Sequence, residues 1–193
     1  MLSVGQRIQE AIDHMGKGEI MRALTPACIA LDITSQRHAG AKRSGRAIFK
    51  RFVTEHMWLI SYLGFPGLMS SIVRVPFSHP DVKPDAAGTV GIDDIVYHII
   101  RCGLIHSDET SAKIVWSSAL ALGLDNHGNL VLHQDLVWAL IATVVFAPVN
   151  KSESVPETYW IQIGGFKSFV SEYWGRIDLA KRIVQHNTGI PVK

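Results

Sequence analysis

The sequence contains only two cysteines, Cys28 and Cys102, among its 193 residues. Two cysteines without paired spacing are too few for a disulfide framework or a zinc ribbon, so we expect two buried thiols. The nine histidines show neither the His-x3-His nor the His-Glu-x-x-His spacing of a metal site. The sequence therefore predicts no metal and no cofactor.

Long hydrophobic runs are also missing. The longest run covers residues 136–149, about 14 residues, whereas a bilayer-spanning helix needs about 20. Residues 1–11 lack the basic cluster and continuous apolar stretch of a signal peptide. These features predict no membrane association and a cytoplasmic location, with residues 136–149 in a buried helix.

Motifs for several common activities do not occur. The sequence has no Gly-x4-Gly-Lys-Ser/Thr, Gly-x-Gly-x-x-Gly or Gly-x-Ser-x-Gly pattern. Nucleoside-triphosphate hydrolysis, dinucleotide binding and serine hydrolysis therefore lack their usual support. A net charge of +2 is too small to identify a nucleic-acid-binding protein by itself, so the distribution of charge matters more.

What the sequence does have is apolar material: 47% of residues are hydrophobic and 19% are charged. An average globular domain carries roughly 25% charged residues. This surplus of apolar residues predicts additional buried surface, which a homodimer interface would supply. The length favours a single domain over residues 1–193.

Helical periodicity recurs through most of the chain and predicts a mainly α fold. We expect helices over residues 3–15, 19–38, 42–63, 91–105 and 134–147, and one or two more between Pro156 and about residue 185. Pro26 should restart the second helix, with Thr25 as its cap. Turn residues at 125–128, flanked by apolar runs, predict strands only at 114–132. The expected fold is a helical bundle of five or more helices with a small β-hairpin insertion near 114–132.

The pattern with chemical content is Arg101-x4-His106, at the end of the helix predicted for 91–105. It resembles the motif of the HEPN superfamily, an all-α group that includes metal-independent ribonucleases, toxins and antiviral effectors. The resemblance implies a homodimer that brings two such pairs together for RNA cleavage. Arg101 would then bind the phosphate and His106 would act as general acid or base. Both roles fit the chemistry, because histidine titrates near neutral pH and a guanidinium matches phosphate geometry.

Three further polar residues precede Arg101 on the same predicted helix. Asp94, Tyr97 and His98 lie three to seven residues before it, so all four side chains are expected on one face. We predict them as secondary members of the site. The structural alternative is an Arg101 that pairs with Asp94 or Asp108 and a His106 that caps the helix end.

A basic cluster forms the second candidate feature, because no acidic residue occurs between Ser35 and Thr54. Its members are predicted to bind nucleic acid along a phosphate backbone. They are Arg37, Lys42, Arg43, Arg46, Lys50 and Arg51. An ordinary solvated face is the alternative interpretation.

Two functions follow from these features. The first is RNA cleavage or RNA binding by a HEPN-like dimer, a possible endoribonuclease in a toxin–antitoxin or defence system. The alternative is a non-catalytic all-α adaptor or regulator that acts through protein–protein contacts, in which Arg101 and His106 are structural. The five tryptophans are expected mainly in the core, although such side chains can also stack on bases.

Overall fold

The computed structural model describes residues 2–102 and 113–192. Within these ranges the chain forms seven helices, of which the fifth continues as a π-helix over Ile95–Arg101. Their bounds are α1 Val4–Gly16, α2 Ile20–His38, α3 Arg46–Glu55, α4 Met57–Gly64, α5 Ile92–Asp94, α6 Asp135–Phe146 and α7 Ile177–Thr188. Short 3-10 helices cover Pro148–Asn150 and Val170–Glu172.

Seven strands form three small sheets in the same part of the chain. Their bounds are β1 Arg74–Val75, β2 Val90–Gly91, β3 Ile114–Ser117, β4 Leu122–Leu124, β5 Leu130–His133, β6 Trp160–Ile163 and β7 Phe166–Phe169. The fold is therefore mixed α and β. The prediction of a mainly α helical bundle with only a hairpin insertion is wrong, because two of the three sheets lie outside residues 114–132.

The core is built around α6, whose residues from Leu136 to Phe146 are buried apart from Trp138. This helix packs against α2 and α4, and α1 packs on α2. The apolar run that is too short for a bilayer is thus a central core helix, as predicted. No helix among the described residues has the length and apolar character needed to cross a membrane.

The N-terminal helices follow local sequence signals with one exception. Ser3 begins α1 with a capping box, since its hydroxyl accepts from the Gln6 amide while the Gln6 side chain accepts from the Ser3 amide. Pro26 does not restart α2, which runs continuously through it. The carbonyl that loses its partner belongs to Arg22, which is exposed, so water can satisfy it.

The helix predicted for residues 42–63 is split into α3 and α4 at His56. The ring of His56 bonds the carbonyl of Phe52 through Nδ1 at 2.8 Å, which competes with the backbone pattern at the junction. Lys42 and Arg43 precede α3 instead of lying on it.

Residues 114–133 form a three-stranded sheet with the order β3-β5-β4. The predicted hairpin is present as β4 and β5, joined by a turn in which the Asp125 carboxylate accepts the amides of His127 and Asn129. The strand β3 adds to β5 in parallel, from Ile114 opposite Leu130 to Ser117 opposite His133. This sheet is larger than the predicted insertion.

Of the one or two helices expected between Pro156 and about residue 185, one is present as α7, Ile177–Thr188, and a hairpin precedes it. Strands β6 and β7 pair antiparallel, with Trp160 opposite Phe169 and Ile163 opposite Phe166. The turn is Gly164-Gly165, with φ of 52° and 89°, values that favour glycine at both positions of a two-residue hairpin loop. Buried and exposed side chains alternate along β6, since Ile161 and Ile163 are buried while Trp160 and Gln162 are exposed.

Candidate functional site: a polar π-helix and an aromatic cavity

The predicted catalytic residues Asp94, Tyr97, His98 and Arg101 all lie on or beside the π-helix. A π-helix is rare, and single turns of it occur often at functional sites. The structure places these four residues in one short helical segment, and a shared face for their side chains stays a prediction. His106 lies outside the described residues, so its position relative to Arg101 is not part of the site described below.

Asp94 is the centre of an ion-pair cluster that joins the π-helix to α3. Its Oδ1 lies 2.6 Å from Nζ of Lys50 and 3.4 Å from Nη2 of Arg46. Lys50 also contacts Asp93 at 3.2 Å. Two members of the predicted nucleic-acid-binding set are thus neutralised by carboxylates of the same molecule.

His98, on the π-helix, lies beside this ion-pair cluster. Its Nε2 is buried, finds no hydrogen-bond partner among the described residues, and lies 3.8 Å from Oδ1 of Asp94, which is too long for a hydrogen bond. Burial, together with the positive charge of Arg46, lowers the pKa of His98 despite the opposing effect of Asp94. A neutral imidazole with an unused nitrogen can serve as a proton acceptor near pH 7.

Arg101 points to α2. Its Nη2 lies 3.1 Å from Oδ2 of Asp32, and the guanidinium lies 5.5 Å from the centre of the Tyr97 ring. Burial disfavours the charge, but the hydrogen bond and negative charge of Asp32, together with the contact to Cys102, outweigh burial and raise the pKa of Arg101. The partner is Asp32, whereas the sequence suggested Asp94 or Asp108. Asp108 lies outside the described residues.

Buried next to this ion pair is Cys28, where burial raises the pKa of the thiol to about 12. Such a thiol stays protonated and is a poor nucleophile. The prediction of a buried thiol is confirmed for Cys28, whereas Cys102 is only half-buried.

The remaining members of the basic cluster are dispersed. Arg37 pairs with Glu153 at 2.7 Å, and Arg51 lies 3.6 Å from Glu55, one helical turn away. Lys42 and Arg43 are exposed and have no acidic partner among the described residues. The six residues do not form one uncompensated basic face in this part of the chain.

A different site is formed by residues outside this polar cluster. A cavity of about 850 Å³, open to solvent on one side, is lined by α1, α4, α6 and the segment that leads into and through β6. Four aromatic side chains line it, together with apolar groups and two carboxylates. The aromatic residues are Tyr62, Trp138, Tyr159 and Trp160.

Hydrogen bonds hold two of these rings in place. The hydroxyl of Tyr159 donates to Oδ1 of Asp13 at 2.7 Å, and this bond, with burial, raises the pKa of Tyr159. On the opposite side, Nδ2 of Asn187 donates to the Tyr62 hydroxyl at 2.8 Å and to the Gly164 carbonyl at 2.7 Å. The cavity is therefore bounded by tied side chains from α1, α4, α7 and the β6–β7 turn.

Asp135, the second carboxylate, begins α6 and is 41% exposed. Nε2 of His133 contacts the Ser118 carbonyl at 3.1 Å, and Nδ1 accepts the backbone amide of Asp135 at 3.2 Å. This geometry assigns the proton to Nε2. Although Oδ2 of Asp135 lies 3.4 Å from Nδ1, that nitrogen then has no proton to donate.

Sequence reasoning missed this cavity. Its lining comes from residues 12–16, 62–66, 135–142 and 158–164, which are far apart in the chain. Trp138 and Trp160 were assigned mainly to the core, but Trp138 is half-buried and Trp160 is 49% exposed. One local signal was available, since the Gly164-Gly165 pair between alternating segments is typical of a hairpin.

A mixed α/β domain with this arrangement is placed in a family by sequence comparison. The family described as Rv1289 matches residues 3–193, and the chain belongs to it. Relatives include "Uncharacterized protein Rv1289" of Mycobacterium tuberculosis and "Uncharacterized protein Mb1320" of Mycobacterium bovis. Each is 27% identical over 192 residues, which covers 95% of this chain and 88% of the relative. No solved structure matches the chain.

Proposed function

We propose that this protein binds a small organic molecule in the aromatic cavity. The observation that carries the proposal is the cavity itself, whose volume of about 850 Å³ and aromatic lining match those of ligand sites. Such sites measure roughly 300–1,000 Å³ and combine an apolar wall with a few polar groups. Here the polar groups are the Asp13 and Asp135 carboxylates, the tyrosine hydroxyls and Gln162.

Binding of an uncharged fluorescent probe, N-phenyl-1-naphthylamine, tests this function. Ala142 lines the cavity, so Ala142→Leu should fill part of it and reduce the bound fluorescence several-fold. Ala47 is exposed on α3, and Ala47→Leu is the matched control. If Ala142→Leu does not fold, the exposed lining residue Thr158 offers Thr158→Trp instead. Saturable binding that neither lining variant reduces would contradict the proposal.

A second candidate function is favoured by the buried Nε2 of His98, which has no hydrogen-bond partner in the part of the chain that the structure describes and lies next to Arg101 and Tyr97. We infer from it RNA binding or metal-independent RNA cleavage by a HEPN-like homodimer. Arg101 would contact phosphate, and His106 or His98 would transfer the proton. Lys42 and Arg43, which precede α3, supply exposed positive charge. The existing contact of Arg101 with Asp32 must then rearrange, whereas the adaptor alternative needs no such change.

RNA binding can be tested by substituting Lys42 and Arg43, which have no acidic partner among the described residues. Lys42→Glu with Arg43→Glu should weaken binding and reduce its salt dependence, because fewer counterions are released. Arg51→Glu removes an exposed arginine that pairs with Glu55 and is the control. For cleavage, His98→Ala should lower an EDTA-insensitive activity by about 10²–10⁴-fold. Unchanged RNA affinity and activity in folded variants would favour the adaptor.

A further inference from the structure

We propose that the ligand of the aromatic cavity is an organic cation, an ammonium compound with an apolar or aromatic portion. This inference rests on the proposed ligand-binding function. It begins with the charges of the cavity wall. Asp13 and Asp135 are the charged side chains that line it in the described part of the chain, and no lysine, arginine or histidine lines it there.

Neither carboxylate is neutralised by a lysine or arginine in residues 2–102 and 113–192. Asp13 accepts from the neutral Tyr159 hydroxyl, which orients the carboxylate and leaves its charge uncompensated. Asp135 lies beside His133, whose hydrogen bonds place the ring proton on the far nitrogen. Both carboxylates thus give the cavity an unpaired negative charge, which favours a cationic ligand and disfavours an anion.

The aromatic lining of the cavity also favours a positively charged ligand. The face of an aromatic ring attracts a cation within about 6 Å of its centre. One such contact already exists on a ring of the lining, since Nζ of Lys167, which does not itself line the cavity, lies 3.6 Å from the centre of the Trp160 ring. Tyr62, Trp138 and Tyr159 also line the cavity and are available for the same type of contact with a ligand ammonium.

The apolar remainder of the wall defines the rest of the ligand. Ile12, Leu63, Ala142 and the buried strand residues Ile161 and Ile163 have no group that would solvate a bare metal ion. A hard cation requires several oxygen ligands, and no group of three or more His, Cys, Asp or Glu able to hold a metal occurs among the described residues. The geometry therefore favours an alkylated or arylated ammonium over an inorganic cation.

Three probes of matched size test the charge preference by isothermal titration calorimetry. They are benzyltrimethylammonium, its uncharged carbon isostere neopentylbenzene and the anion benzenesulfonate. We expect the cation to bind about tenfold more tightly than the isostere, and the anion to bind more weakly than either. Asp135→Asn and Asp13→Asn should each reduce the affinity for the cation by about three- to tenfold. Each should change the affinity for the isostere by less than about twofold.

Glu157→Gln is the control, because Glu157 is exposed and does not line the cavity. It should leave the preference for the cation intact. Equal affinity for the cation and its isostere would overturn the charge assignment while the ligand-binding function stood. Tighter binding of the anion, or a cation preference that survives both carboxylate variants, would also overturn it. Failure of all three probes to bind would count against the ligand-binding function as well.

Discussion

Nη2 of Arg101 lies 3.1 Å from Oδ2 of Asp32, an ion pair that ties the π-helix to α2. Asp32 also accepts a hydrogen bond from the Ser44 hydroxyl, so the contact fixes the loop before α3 as well. The two side chains of the pair are 21% and 17% exposed. A polar contact this poorly solvated holds three segments together, whatever further role Arg101 has.

Removal of one partner should therefore destabilise the fold. Arg101→Ala leaves Asp32 poorly solvated without its counter-charge, and we expect a loss of about 1–3 kcal/mol in the free energy of unfolding, discounted for the remaining exposure. Urea unfolding measures it. The double variant Asp32→Asn, Arg101→Gln removes both charges and should recover part of the loss. Simple additivity of the single variants Asp32→Asn and Arg101→Gln in this double variant would show that the pair contributes nothing.

The structural contact of Arg101 affects how an activity loss in its variants is interpreted. Loss of any RNase activity in Arg101→Ala does not identify a catalytic residue, since the variant also loses a structural contact. The charge-free double variant separates the two effects. It should keep the fold but lack the phosphate-binding cation, so an activity that survives in it would exclude Arg101 as the phosphate ligand.

Stability should fall as the pH decreases from 7 to about 5. Burial lowers the pKa of His56 below that of the unfolded chain, and the pKa values of His79 and His98 are lowered too. Between the folded and unfolded pKa the unfolded state binds more protons, so stability rises with pH there and is lost as pH falls below about 6.5. Each histidine contributes at most about 1.4 kcal/mol per pH unit.

His56 is the most buried of the three, with 6% of the residue exposed. His56→Gln should flatten the dependence over this range when the free energy of unfolding is measured at each pH. His127→Gln, in the turn between β4 and β5, should keep the wild-type slope. Carboxylates with lowered pKa, such as Asp85 and Asp125, titrate at lower pH and do not interfere in this window. An unchanged slope in His56→Gln would contradict the assignment.

The sequence predicted the fold where local and tertiary signals agree. The helix expected at residues 134–147 is observed as Asp135–Phe146, because a continuous apolar run of that length suits a central core helix. The helix expected from Gly91 is also present up to the end of the described range, although its π geometry was not foreseen. A π turn depends on packing and not on a sequence period.

Tertiary contacts decided the rest. In Trp160–Phe169 the Gly164-Gly165 pair indicates a hairpin, whereas the helical periodicity of the flanking residues predicts a helix, and the strand pairing overrides that periodicity. The basic cluster was judged from spacing alone, and its neutralisation by Asp93, Asp94 and Glu153 comes from residues 43 to 116 positions away. The cavity is likewise assembled from four distant segments and has no local signature.

Gly5 should be sensitive to the smallest substitution. A Cβ at this position in α1 would overlap the backbone carbonyl of Ser154, and the Gly5 amide donates to Glu153 at 2.8 Å. Because backbone cannot move aside cheaply, Gly5→Ala should cost about 1–3 kcal/mol in thermal or urea unfolding. Gly16→Ala, at the other end of α1, meets nothing within 4 Å and should leave stability unchanged or slightly higher. Equal stability of the two variants would mean that α1 and residue 154 are not in contact.

The last prediction joins stability to the cavity through Asn187. Its Nδ2 bonds the Tyr62 hydroxyl and the Gly164 carbonyl, and thereby ties α7 to α4 and to the β6–β7 turn at the cavity wall. Asn187→Ala removes both bonds, and since the site is exposed we expect a loss of only about 0.5–1.5 kcal/mol in stability.

A comparable effect should be seen on binding, because Tyr62 and Gly164 both line the cavity and would lose their fixed separation. Affinity for N-phenyl-1-naphthylamine should fall about three- to tenfold, measured by fluorescence titration on protein shown to be folded by circular dichroism. Gln185→Ala, two residues earlier on the exposed part of α7, is the control and should bind as the wild type does. An Asn187→Ala variant that unfolds more readily but binds the probe with unchanged affinity would show that the tether stabilises the helix without shaping the cavity. An unchanged stability and affinity would show that it does neither.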